Sequence, residues 1–234
     1  MTKFNKFLNS LKTPNNASLI EAIQKGYNSL LESVSPIVYH NTNLASAASI
    51  LKNNKFRLST STKDDHELNG VKIRPFYLST SRIKYGGYSR NRGVVHLVLD
   101  GNKLNQKYKG VPVDYFSITD NNNKRVDRDN ILAYDENEDR VLSYKQTIEP
   151  ASKYIKEIHV LIGNLQNNPT YDPIELIEFI KIIEKEAKNL NIPIFFYTDL
   201  EAWKVMDKRK ASTDLANISH NTFHILYQNS PKTH

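Results

Sequence analysis

Two apolar runs constrain the fold of this chain more than any other feature. Residues 94–99 and 155–162 are dominated by Val, Ile and Leu, with His96 and His159 set among them. Runs of this length, rich in β-branched residues, are the pattern of strands in the middle of a sheet. Shorter strands are expected at 37–40, 56–58, 75–80, 140–142 and 192–197. Helical spacing of apolar residues predicts helices at 17–32, with Leu19, Ile20, Ile23, Tyr27, Leu30 and Leu31 on one face, and up to 53, with Leu44, Ala47, Ala48 and Leu51. Asn41, Thr42 and Asn43 are candidate caps for the second of these. Asp172 and Pro173 open a strong helix to about residue 190, and a short one is expected at 199–206.

Strands and helices in this order, without a repeat or a Pro- or Ser-rich linker, predict one α+β domain with helical additions. The expected division is 1–34 as N-terminal helices, 35–206 as the main domain and 207–234 as a tail. Residues 1–16 read as an amphipathic helix, with Phe4, Phe7, Leu8 and Leu11 on its apolar side. Packing on the domain is the expected use of that face, and a membrane surface or partner is the alternative. Residues 59–69 and 120–130 are polar and predict loops.

At 234 residues the chain can build one full core. It has no cysteine, which removes disulfides, thiolate metal sites and a Cys nucleophile. No run reaches the roughly 18 apolar residues that span a bilayer, and no apolar signal core follows Met1, so a cytoplasmic protein is expected. The net charge is +7. Within residues 68–99 stand Lys72, Arg74, Arg82, Lys84, Arg90 and Arg92 without a carboxylate, with Tyr85 and Tyr88 among them. Such a stretch fits a phosphate-binding groove with stacking rings, and equally a solvated basic face.

Three motifs carry the chemistry. They are Tyr39-His40-Asn41-Thr42, then Tyr77-Leu78-Ser79-Thr80-Ser81-Arg82, then Glu136-Asn137-Glu138-Asp139-Arg140. Their order resembles that of the ADP-ribosyltransferase superfamily. The first is similar to the tyrosine–histidine–glycine–threonine start of the histidine-type clade. The second resembles the serine–threonine–serine motif of the arginine-type clade, and the third that clade's Glu-x-Glu signature. The closest resemblance is to phage- and bacterium-encoded members that pair a first-strand His with a Glu-Asp-Arg motif. It spans about residues 37–162.

This resemblance implies a core of two small β-sheets that split apart, and a mono-ADP-ribosyltransferase that cleaves NAD and passes ADP-ribose to a protein or nucleic-acid acceptor. Glu138 would be catalytic, with Glu136 positioning or activating the acceptor. His40 and Ser79 would bond ribose hydroxyls, Thr80 and Ser81 would orient the strand, and Arg82 would meet the pyrophosphate. Thr42 reads better as a cap than as a ligand. Tyr77, Tyr85 and Tyr88 are candidates to stack on nicotinamide, with Tyr88 favoured. Arg90 and Arg92 are the candidate acceptor contacts.

The physics of the reaction agrees with those residue types. Losing nicotinamide leaves an oxocarbenium-like ribose, as in glycoside cleavage, and a fixed carboxylate stabilises that charge. Each motif also has a plainer reading: a solvated acidic loop, a core or capping histidine, and three strand hydroxyls. Rival functions are an NAD-dependent RNA 2′-phosphotransferase on the same fold and a non-catalytic nucleic-acid-binding or virion protein. No metal is expected. His220 and His224 lack an obvious third ligand, and Asp64-Asp65-His66-Glu67 falls in a polar loop. No Gly-rich dinucleotide or phosphate-loop motif is present.

Overall fold

The computed structural model describes residues 34–60, 75–85, 93–113, 138–163 and 173–218. The expected N-terminal helices before residue 34, the loops at 61–69 and 120–130, and the chain beyond 218 lie outside the described residues. Ten strands and four α-helices are numbered here in chain order. They are β1 (Ile37–Thr42), α1 (Leu44–Asn53), β2 (Phe56–Arg57), β3 (Ser59–Thr60), β4 (Phe76–Ser81), β5 (Val95–Asp100), α2 (Gly101–Asn105), β6 (Lys109–Val113), β7 (Glu138–Ser143), β8 (Thr147–Ile148), β9 (Ile155–Leu161), α3 (Pro173–Asn189), β10 (Ile194–Tyr197) and α4 (Leu200–Val205).

The fold is mixed α+β. One sheet runs β10-β9-β5-β1-β4-β7-β6, with β3 beside β4, and a second, small sheet pairs β2 with β8. All pairings are antiparallel except β10 with β9. The two apolar runs, as expected, form adjacent inner strands, β5 and β9. Every residue from Val95 to Leu99 is buried.

Strand alternation divides the sheet into two different faces. Val38, Leu97, Leu99, Ile158 and Val160 join the main core, which α1 and α3 cover. Asn43 opens α1 by accepting from Ser46 N at 2.7 Å, so Asn43 rather than Thr42 is the cap. Asn54 closes it in the left-handed region, at φ 49°, donating to the Ile50 and Leu51 carbonyls. On α3, Leu176, Ile177, Ile180, Ile183 and Ala187 are buried, the i, i+3, i+4 stripe of a core-facing helix.

The opposite face is more polar. Asn41, His96 and His159 stand in one row across β1, β5 and β9. Trp203 from α4 closes over them, with its ring 4.0 Å from that of His96 and Nε1 donating to the His159 carbonyl at 3.4 Å.

Several elements depart from expectation. Ser59–Thr60 is a strand where a loop is expected, paired with Phe76 and Tyr77. β7 starts at Glu138, two residues before the expected strand, because Ser81 and Val113 provide ladder partners there. Residues 207–218 continue the fold: Ser212 bridges Phe196 and Ile218 lies in the core. No helix among the described residues is long and apolar enough to cross a membrane.

Candidate functional site

The motifs converge on a seam in the sheet. β1 pairs with β5 along six residues, and β4 with β7 along six, but β1 meets β4 only at Tyr39↔Ser81. Beside that single pair the His40 Nδ1 lies 2.8 Å from the Ser79 carbonyl. A ring thus spans the two strands where a second ladder pair would otherwise form. Phe56 meets the other edge of the imidazole, 5.9 Å away in a T-shaped contact.

On the polar face next to the seam, the register sets Ser81 opposite Glu138 and Ser79 opposite Arg140. Glu138 is 3% exposed, and its Oε2 accepts from Arg140 Nε at 3.3 Å. The Arg140 guanidinium lies 4.5 Å over the Tyr77 ring, a cation–π contact. Tyr77, Ser79, Ser81, Glu138 and Arg140 therefore share one face. Arg140 is the functional-looking residue that the sequence reading left without a role. Its signal was the i, i+2 spacing from Glu138, which on a strand aligns the two side chains.

Asp139 points the other way and is an anchor. Its Oδ2 accepts from Ser35 N at 2.8 Å, and its Oδ1 from Arg82 Nη1 at 2.8 Å. Arg82 Nη1 also lies 3.2 Å from the Glu138 carbonyl. The guanidinium expected at a pyrophosphate thus ties β4 to the start of β7. Thr80 donates to the Asp139 carbonyl at 2.5 Å, which ties β4 to β7. Ser81 Oγ donates to the Ile83 carbonyl at 2.9 Å, which shapes the turn after β4.

His40 and Thr42 stand on the α1 side of the sheet, opposite to Glu138. They line a cavity of about 460 Å³ with Ser46, Ser49, Lys55 and Arg57. Among the described residues no carboxylate lines it. Lys55 and Arg57 were not among the residues expected at the site. Lys55 precedes β2 and Arg57 is its second residue. Glu136, Tyr88, Arg90 and Arg92 lie outside the described residues.

A second polar cluster lies along the same face as Glu138. His96 Nδ1 contacts Asn41 Oδ1, while Asn41 Nδ2 and His96 Nε2 have no hydrogen-bond partner among the described residues. His159 Nδ1 meets the Tyr197 hydroxyl at 2.8 Å and its Nε2 meets Glu157 at 3.1 Å. Burial pushes His96 down to about 3, and the neighbouring His159 adds to that shift. Burial likewise pushes His159 down to about 4 against the pull of Glu157. Both are neutral at physiological pH.

Among the described residues, no group of three or more His, Asp or Glu is arranged to hold a metal ion. Comparison with protein-family models, curated proteins and solved structures finds no match for this chain.

Proposed function

We propose that this protein is a mono-ADP-ribosyltransferase that uses NAD, with Glu138 as the catalytic carboxylate. The observation that carries this reading is the meeting of three separate motifs at one seam: His40 against the Ser79 carbonyl, and Ser81 directly across from the buried Glu138. The single-pair junction of β1 and β4 also fits the split-sheet core that the motif order implies.

The cavity beside His40 suits the ADP half of the dinucleotide. Lys55 and Arg57 supply cations for the pyrophosphate, and Thr42, Ser46 and Ser49 supply hydroxyls for ribose. The nicotinamide–ribose end must then round the β1–β4 seam to reach Glu138 on the other face. There the carbon–nitrogen bond breaks, and its electron pair leaves with nicotinamide. The ribose carbon becomes cationic and takes a nucleophile from the acceptor, which gives up its proton.

Glu138 stabilises that cation. Arg140 fixes the carboxylate through a single bond, and a carboxylate accepts at about four positions, so capacity remains for a ribose hydroxyl. Tyr77 holds Arg140 in place from below.

Two measurements test the reading. Glu138→Gln is expected to keep the fold and NAD affinity while transfer drops by about 100-fold, the scale of one lost preorganised contact. Near-normal transfer moves the role to Glu136. NAD is expected to raise the melting temperature by mass action, and His40→Ala to abolish the rise. A well-folded wild type that shows no shift at millimolar NAD overturns the proposal.

A further inference from the structure

We draw no further inference here: the strongest candidate, the apolar groove of about 350 Å³ that Ile177 and Ile180 of α3 form with Leu215 and Ile218, carries nothing, because nothing in the structure shows what covers it.

Discussion

At the scale of single residues, Glu138 and Asp139 separate function from anchoring. They are adjacent, both acidic and both buried, yet alternation sends them to opposite faces. Asp139 holds Ser35 N and the Arg82 guanidinium, so Asp139→Ala removes an acceptor from each. Its expected cost is about 2 kcal/mol, the scale of hydrogen bonds lost to a charged acceptor, read as a lower urea midpoint. Glu138→Gln is expected to cost about 1 kcal/mol or less, since an amide oxygen still accepts from Arg140. Equal destabilisation by the two variants would mean that both carboxylates are structural. The sequence made the acidic cluster legible but not this division of roles. Four acids at 135, 136, 138 and 139 leave the register open, and only the pairing of Ser81 with Glu138 sets it. The role of Arg82 was illegible for the same reason: its partner lies 57 residues away.

At the scale of elements, what was legible followed length and periodicity. The long runs that became β5, β9 and α3 carry enough repeats to declare their period, and Asn43, though weighed with two neighbours, capped the helix it stood beside. The elements that escaped notice are short or chemically mixed. β6 contains Gly110 and Pro112, both unfavourable in a strand, and exists as an edge where a missing amide costs little. β8 has two residues, and only its pairing with β2, a strand that was expected, makes it one. A glycine joins two elements at the site. A Cβ on Gly93 would stand 1.9 Å from the Thr42 carbonyl oxygen and 2.6 Å from Asn43 N. Both atoms are backbone, so Gly93→Ala must displace the end of β1 and the cap of α1 together. It is expected to cost about 2 kcal/mol or more. Because His40 and Thr42 line the cavity on that element, NAD should also lose much of its stabilising effect on melting. A variant that melts lower yet keeps the full NAD shift would place the cofactor elsewhere.

At the scale of the whole molecule, the two faces of the sheet give stability that responds differently to pH. The face under α1 and α3 is largely apolar, although it also carries His40 and the Asp139–Arg82 pair. The other buries two neutral histidines, and its cover by Trp203 depends on their staying neutral. The unfolded chain binds a proton on each near pH 6.5, whereas the folded chain resists until about 3 for His96 and about 4 for His159. Their contribution is therefore fully present above pH 6.5 and is lost as the pH falls toward the folded values. Each histidine adds a slope of up to about 1.4 kcal/mol per pH unit within that window. Urea midpoints measured from about pH 7.5 down to 4.5 should fall steeply. His96→Phe alone strands the buried Asn41 amide, and is expected to cost about 1–3 kcal/mol near neutral pH. Asn41→Leu/His96→Phe removes both polar partners together, so it should be closer to the wild type at pH 7.5 and overtake it in acid. The crossing is the diagnostic. A double variant whose stability falls with pH as steeply as that of the wild type would show that His96 is not what acid attacks. His159, tied to Glu157 and through it to Lys208, would then carry the whole of the effect.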